Sequence, residues 1–209
     1  MCDKQKVYVY CLPQDESRST DEKLQQIAQR HSVRLNLSLK GDPRCLFRVE
    51  RTAKGKPFFP ECPQLHFSVS HSGAYFVCAL SDAPVGVDLQ EHARLKRETM
   101  ENTCQRHRKI AKRFFHPVES RWIEWEPYTR FFSVWSARES YVKYTGSGID
   151  AAFQEICVLP NQEILSLSLE AEVTWQNGEV WFRQIQFPSD YTLCICSPMP
   201  NVWEIICEE

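Results

Sequence analysis

The amino-acid sequence predicts an α+β fold, because segments typical of strands and segments typical of helices occur in separate blocks along the chain. Strand patterns with one helical interruption fill the first 90 residues, helical patterns fill the middle, and strand patterns return after residue 156. The 209 residues are enough for one large domain or two small ones. The order of the elements predicts two related α+β halves, residues 1–84 and 85–209.

The first half is expected to begin with a strand at residues 7–11, which is rich in β-formers and is followed by Pro13. A helix is expected over residues 20–30, with Thr20 as its N-cap. Further strand-like runs, bounded by turn residues, lie at residues 45–50, 65–69 and 75–80. A loop at residues 70–74 is expected between the last two runs.

The second half is expected to begin with a short strand at residues 85–89, followed by two helical segments. The first of these includes residues 94–113, which hold eight Lys or Arg and only two Glu. The second covers residues 129–145 and stops at Gly146. Four strand-like runs follow, at residues 172–175, 180–187, 191–196 and 202–206, and Asn177-Gly178 indicates a hairpin turn between the first two.

The composition argues against several classes of function. The net charge of −2 and the pI of about 6.3 give no indication of a nucleic-acid or membrane-surface partner. The sequence has no run of about 18 apolar residues, and its polar first residues do not resemble a signal peptide. The ten cysteines include no C-x₂-C pair, so we interpret them as reduced thiols, mostly in the core, of a cytoplasmic protein.

Three charged residues on the second predicted helix carry the first functional signal. On a helical wheel Arg138 falls within the apolar arc, and Glu139 and Lys143 lie at the edge of that arc, one turn apart. The arginine either packs its stem and extends its charged head to water, or reaches a bound anion. Glu139 and Lys143 are by default an ordinary i,i+4 ion pair.

Other short segments add polar groups beside apolar strands. Ser70 and His71 offer a hydroxyl and an imidazole that suit a phosphate, although a plain hairpin turn or a Ser-His nucleophile pair would also explain them. Asp88 and Gln90 share one face of their strand and form either a Mg²⁺ half-site or a strand end that faces water. Lys56 lies in a turn that lacks the P-loop pattern.

These segments are specific in their order and spacing. The sequence reads G-K-P at residues 55–57, F-S-V-S-H-S at 67–72, G-V-D at 86–88, F-F-H-P-V-E at 114–119 and W-S-A-R-E-S-Y-V-K-Y-T-G-S-G at 135–148. Over roughly residues 45 to 150 the chain resembles the 4′-phosphopantetheinyl transferase superfamily, and its length matches the pseudodimeric Sfp-like subfamily. The resemblance implies a monomer with two similar α+β halves and an active site in the cleft between them.

The resemblance also implies a role for each matching residue. Asp88 and Glu139 would bind Mg²⁺, with Glu139 also the candidate general base, and Lys143 would contact the pyrophosphate of coenzyme A. Gln90 stands where many members of the family have an acid, so it would be a weak metal ligand that a water molecule could replace. The residues that would bind the phosphates of coenzyme A are Lys56, Ser70, His71 and Arg138.

The implied reaction transfers the 4′-phosphopantetheine group of coenzyme A to a serine of an apo acyl or peptidyl carrier protein and releases 3′,5′-ADP. The carrier would serve fatty-acid or secondary metabolism. The basic residues 94–113 would either contact an acidic carrier or form a solvated helix face. Gln90 leaves open a catalytically weak homologue that only binds coenzyme A or a carrier, whereas the scattered histidines disfavour a metal-dependent phosphodiesterase.

Overall fold

The computed structural model describes residues 5–37, 41–92, 99–148, 151–160, 172–188 and 190–207, and these confirm the predicted α+β class. The helices are α1 (Thr20–Arg34), α2 (Pro43–Leu46), α3 (Met100–Phe114), α4 (Pro117–Trp125) and α5 (Thr129–Thr145), and a 3₁₀ turn spans Ala151–Glu155. The strands are β1 (Gln5–Pro13), β2 (Glu50–Arg51), β3 (Pro57–Phe58), β4 (His66–Ser72), β5 (Tyr75–Ser81), β6 (Gly86–Glu91), β7 (Glu172–Asn177), β8 (Val180–Gln186), β9 (Tyr191–Ser197) and β10 (Asn201–Cys207). None of these helices is both long and apolar enough to cross a membrane.

The described strands form two four-stranded sheets and a short two-stranded one. The first sheet has the order β10-β1-β5-β4, in which β10 runs parallel to β1 and the other pairs are antiparallel. The second sheet has the order β6-β9-β8-β7 and is antiparallel. The last strand therefore returns to the sheet of the first half, and the boundary at residue 84 and the likeness of the two halves stay predictions.

The alternation of side chains along the strands separates the apolar residues into layers. On β1, Val7, Val9 and Cys11 face the second sheet, whereas Tyr10 and Leu12 pack against α1. The other face of the second sheet packs against α3, α4 and α5. The described chain thus has four layers, helix, sheet, sheet and helices, with an aliphatic core between the two sheets.

One predicted strand of the first half is wrong. Residues 45–50 have a strand-like composition, but Asp42 and Pro43 begin the short helix α2, in which the Asp42 side chain accepts a hydrogen bond from the Arg44 N–H. Proline suits the first helical position because an N–H there would have no partner within the helix. Only the last residue of the predicted strand belongs to one, the two-residue β2.

Capping and turn residues set the ends of the other elements. Helix α1 is capped by Ser19 rather than by the predicted Thr20: the Ser19 hydroxyl accepts from the Glu22 N–H, and the Glu22 carboxylate accepts from the Ser19 N–H. The predicted end of α5 at Gly146, whose φ is 69°, is confirmed, and so is the hairpin turn after Asn177.

Candidate active site

Strand β6 lies directly against helix α5 because the first residue of the strand is a glycine. A Cβ atom at Gly86 would lie 1.9 Å from the backbone carbonyl oxygen of Ser140. Any larger residue would therefore push the strand away from the helix. This close approach brings Asp88, two residues further along β6, to the side of α5 that carries Glu139 and Lys143.

Strands β4 and β6 belong to different sheets, and serine hydroxyls connect them. Ser68, Ser70 and Ser72 alternate along β4 and therefore point to the same side. Their bonds to β6 are as follows: Ser68 Oγ accepts from the Val87 N–H (3.0 Å), Ser70 Oγ donates to Asp88 Oδ1 (2.8 Å), and Ser72 Oγ accepts from the Glu91 N–H (2.9 Å). The loop predicted at residues 70–74 is therefore wrong in its first part, which is strand.

Asp88 is a buried carboxylate with two donors on one oxygen. Lys143 Nζ lies 2.6 Å from Asp88 Oδ1 and 2.9 Å from Ser70 Oγ, and the Ser70 hydroxyl donates to the same Asp88 oxygen. Only 4% of Asp88 is exposed. Burial raises the pKa of Asp88, while the Lys143 ammonium and the Ser70 hydroxyl oppose the rise.

Glu139 is the second carboxylate of the site. The ion pair expected between Glu139 and Lys143 is wrong, because the lysine ammonium bonds to Asp88 and Ser70 instead. Burial raises the pKa of Glu139, and the charge of Asp88 raises it further, against the opposing effect of Lys143. The site therefore combines two carboxylates that repel each other with a single ammonium group bonded to one of them.

The free carboxylate oxygens fit a divalent cation. Asp88 Oδ2 and Glu139 Oε1 are buried and have no hydrogen-bond partner within the described ranges. Burying such oxygens is costly unless a positive group contacts them, and Mg²⁺ accepts carboxylate and amide oxygens while keeping several waters. Gln90 is half-buried in the same cavity. No group of three or more His, Cys, Asp and Glu that could hold a metal occurs among the described residues, so a cation here would depend on two carboxylates, an amide and water.

A cavity of about 400 Å³ brings most of the predicted site residues together. Those that line it are Ser70, His71, Asp88, Gln90, Glu139 and Lys143. The wall also contains residues that the sequence analysis did not assign to the site, namely Thr20, Val69, Phe76, Leu89 and Trp135. Helix α1 and strands β4 and β5 therefore form one side of the cavity, and strand β6 and helix α5 form the other.

Lys56 lines a neighbouring cavity of about 280 Å³ instead. The two cavities share Val69 and Lys143. Lys56 Nζ donates a 2.5 Å hydrogen bond to the carbonyl oxygen of Tyr144, near the C-terminal end of α5, and burial lowers the pKa of Lys56. Lys56 is thus beside the first cavity, with its ammonium at the negative end of the helix.

Arg138 lines neither cavity, which corrects its predicted phosphate contact. Its side chain is 0% exposed, and its guanidinium lies 2.5 Å from a carboxylate oxygen of Glu119, which is equally buried. The other groups around the guanidinium are the carbonyl oxygens of Phe114, Phe153 and Ile156 and the rings of Phe115 and Phe153. A buried ion pair therefore explains this arginine, rather than a head that reaches water or a bound anion.

Lys23 is a basic group near the cavity that the sequence analysis missed. It is only 4% exposed, and its ammonium lies 5.1 Å from the centre of the Phe76 ring, which lines the first cavity. The available signal was its i,i+4 spacing from Ile27, which places Lys23 on the buried face of α1. A lysine on the apolar face of an amphipathic helix is costly to bury unless its ammonium group has a partner, and here that group lies over the Phe76 ring.

Comparison with known proteins identifies relatives of the chain. A family model described as the 4′-phosphopantetheinyl transferase superfamily matches residues 84–196. The chain is similar to a 4′-phosphopantetheinyl transferase of Bacillus subtilis, with 29% identity over 152 residues, which cover 70% of this chain and 61% of the relative. It is also similar to 4′-phosphopantetheinyl transferase Sfp of Bacillus subtilis (strain 168), with 26% identity over 156 residues, 73% of this chain and 63% of the relative. The chain thus spans less than two thirds of the length of these two curated relatives.

Proposed function

The chain belongs to the 4′-phosphopantetheinyl transferase superfamily, and we propose that it transfers the 4′-phosphopantetheine group of coenzyme A to a serine of an apo acyl or peptidyl carrier protein, with release of 3′,5′-ADP. One observation carries the proposal. Asp88, Glu139 and Lys143 line one cavity, and one oxygen of each carboxylate has no hydrogen-bond partner within the described ranges. With a divalent cation on these oxygens, such a site could neutralise and position a pyrophosphate, which is the main requirement of phosphoryl transfer.

Mg²⁺ is the proposed metal of this site. Asp88 and Glu139 would hold it, together with the amide oxygen of Gln90 or a water molecule. A bound Mg²⁺ would supply positive charge to the pyrophosphate of coenzyme A. The support for this assignment is the pair of partnerless oxygens and the raised pKa values of both acids, which arise from burial and, for Glu139, from the charge of Asp88.

The basic and polar side chains around the cavity would bind the phosphates of coenzyme A. Lys143 is 28% exposed and can approach a pyrophosphate while it contacts Asp88. Ser70 and His71 would offer a hydroxyl and an imidazole from β4. Lys56 would act from the neighbouring cavity and would first have to leave its helix-end carbonyl.

Glu139 is the proposed proton acceptor. Its carboxylate would take the proton of the carrier serine hydroxyl, directly or through a water molecule, as the serine oxygen bonds to phosphorus and the phosphoanhydride P–O bond breaks. The electron pair of the broken bond would leave with 3′,5′-ADP, close to the Lys143 ammonium. The burial that raises the pKa of Glu139 makes it a stronger base than an exposed glutamate.

The proposed partner is an acidic carrier protein that approaches over α3. The exposed basic residues Lys109, Lys112 and Arg113 lie at the end of this helix, and the exposed Phe114 follows them. Residues 94–98 of the basic stretch lie outside the described residues. Opposite charge would orient the carrier on this surface. We place the reaction in the cytoplasm, in fatty-acid or secondary metabolism, and propose a monomer because one chain supplies all the named site residues.

Intact-mass spectrometry of an apo carrier protein tests this function. The carrier is incubated with the chain, coenzyme A and Mg²⁺, and in parallel with EDTA. We expect a gain of one phosphopantetheine that EDTA abolishes. The Glu139→Gln variant should lose the gain, whereas Glu61→Gln, the same substitution at an exposed residue, should retain it. No gain on any of several carrier types would contradict the proposal.

A second candidate is a homologue that binds coenzyme A or a carrier protein without turnover. It is favoured by Gln90, which stands where many family members have an acid. Calorimetric titration of coenzyme A into the chain, alongside the mass experiment, separates the two functions. Binding without any mass gain on the carrier would favour the second candidate, and binding with the gain would exclude it.

A further inference from the structure

We propose that Cys11 and Cys207 form a reversible disulfide that ties the last strand to the first, with a small-molecule disulfide such as oxidised glutathione as the oxidant. The register of the parallel strands β1 and β10 pairs Cys11 directly with Cys207. Adjacent strands lie about 4.8 Å apart, which is within the Cα separations of about 4.4–6.8 Å found in disulfides. Neither cysteine lines the cavity of the candidate active site, so the inference does not depend on the proposed function.

The two thiols point to the same face of the sheet. In the same register, the pairs that precede the cysteines are Val7 with Trp203 and Val9 with Ile205. All four of these side chains pack into the core between the two sheets. Alternation along the strands therefore directs Cys11 and Cys207 to that face as well. The two thiols are close enough to interact, because the contact with Cys207 adds to burial in raising the pKa of Cys11 to about 12.

The different exposure of the two cysteines sets the order of the steps. Cys207 is exposed and Cys11 is buried, so Cys207 meets the oxidant first. Its thiolate attacks the small-molecule disulfide, forms a mixed disulfide and releases one small thiol. The Cys11 thiolate then attacks the Cys207 sulfur and releases the second small thiol. The two protein thiols lose two electrons and two protons in total, and the oxidant is reduced to two thiols.

The disulfide would act on an edge of the fold. Strand β10 is the outermost strand of its sheet and is joined to the rest of that sheet through β1. A bond between Cys11 and Cys207 would close a loop of nearly the whole chain, which restricts the unfolded state strongly. Oxidation should therefore raise the melting temperature and hold β10 in place. Reduction should reverse both effects.

Peptide mapping after oxidation tests the inference. The reduced chain is incubated with excess oxidised glutathione at mildly alkaline pH, free thiols are alkylated, and the digest is analysed by mass spectrometry. We expect one crosslinked peptide pair that contains Cys11 and Cys207, a melting temperature higher by several degrees, and reversal by dithiothreitol. Cys207→Ser should abolish both changes, whereas Cys45→Ser, at another exposed cysteine, should abolish neither. The inference would be overturned if Cys207 were found alkylated, and therefore still a free thiol after the oxidation, or if it stayed as the glutathione adduct or paired with a different cysteine.

Discussion

Two of the ion pairs on helix α5, Arg138 with Glu119 and Lys143 with Asp88, have basic residues five positions apart, and their carboxylates are bonded in different ways. Both oxygens of Glu119 are bonded: one accepts from Arg138 and the His116 N–H, and the other accepts from the Val158 N–H. Asp88 uses only Oδ1, and its Oδ2 has no partner in the described part of the chain. We call the Arg138–Glu119 pair closed because both of its carboxylate oxygens are bonded, although Arg138 Nε has no hydrogen-bond partner among the described residues, and we call the Lys143–Asp88 pair open because Asp88 Oδ2 is free.

This difference suggests that helix α5 carries one ion pair with a structural role and another that belongs to the candidate active site. The closed pair connects α4 and α5, and its arginine also holds the carbonyl oxygens of the 3₁₀ region through Phe153 and Ile156. The open pair lies in a cavity beside a second acid, Glu139. A buried acceptor without a partner costs free energy, so its presence in a cavity supports the proposal that a ligand binds there.

The largest expected effect is on activity at the open pair. Glu139→Gln removes the proposed base and one of the proposed metal ligands, so we expect kcat/KM for an apo carrier to fall by roughly 10²–10⁴-fold. The melting temperature without Mg²⁺ should stay the same or rise, because the variant no longer repels Asp88. Steady-state kinetics and thermal melting measure the two effects. A large loss of stability with little loss of activity would instead give Glu139 a structural role.

The closed pair should respond in the opposite way. Glu119→Gln leaves Arg138 buried without its counter-charge, and we expect the free energy of unfolding to fall by about 3–5 kcal/mol. Urea unfolding measures this change, and the folded fraction should keep its specific activity. The double variant Glu119→Leu, Arg138→Met is the control, because replacing both charges should recover most of the lost stability. A stable but inactive Glu119→Gln would show that this pair belongs to the chemistry.

Gly86→Ala tests the contact that brings the open pair together. The added Cβ would collide with the Ser140 carbonyl oxygen, so we expect a loss of about 1–3 kcal/mol in unfolding free energy together with lower activity. Gly178→Ala is the control, since Gly178 has φ 58° in a hairpin turn with no atom within 4 Å of the added Cβ. It should cost stability through the backbone alone and leave kcat/KM unchanged. An equal loss of activity in both variants would show that activity does not depend on the close approach of Gly86 to helix α5.

His31 is a buried titratable group for which no ion pair with a carboxylate occurs among the described residues, so it extends the comparison. Its Nδ1 lies 3.0 Å from the Tyr10 hydroxyl, and burial, followed by the charge of Arg34, lowers its pKa from 6.5 to about 4. The unfolded chain therefore binds an extra proton below about pH 6.5, and stability should fall by on the order of 2 kcal/mol as the pH drops toward 4. Urea unfolding across this range measures the slope, which His31→Gln should reduce. An unchanged slope in the variant would assign the acid sensitivity to other groups.

The smallest expected effect concerns the metal requirement. Gln90→Glu adds a third carboxylate to the cavity, so we expect the Mg²⁺ concentration for half-maximal activity to fall by up to about tenfold. Titration of Mg²⁺ in the carrier assay measures it. Gln90→Ala is the matched control and should raise the requirement slightly if the amide is a ligand. Identical Mg²⁺ curves for all three proteins would mean that residue 90 does not contact the metal.

The sequence predicted the α+β class, the two long helical segments and most of the strands, because these depend on patterns within short windows. It also selected Asp88, Glu139 and Lys143, which the structure brings into one cavity. It assigned the strand at residues 45–50 wrongly, because the cap at Asp42 outweighed strand-like composition. The cavity wall formed by residues such as Thr20 and Phe76 depends on chain segments that are distant in sequence.

The residues and their local periods were determined by the sequence alone: a carboxylate in an apolar strand, an acid and a lysine one turn apart, and a glycine before the strand acid. Only the tertiary structure decided the partners. Lys143 binds Asp88, 55 positions away, rather than the nearby Glu139, and Arg138 binds Glu119 rather than an anion. The reason is physical, because the strength of a charged contact depends on distance through space and on burial. Neither quantity can be read from positions along the chain.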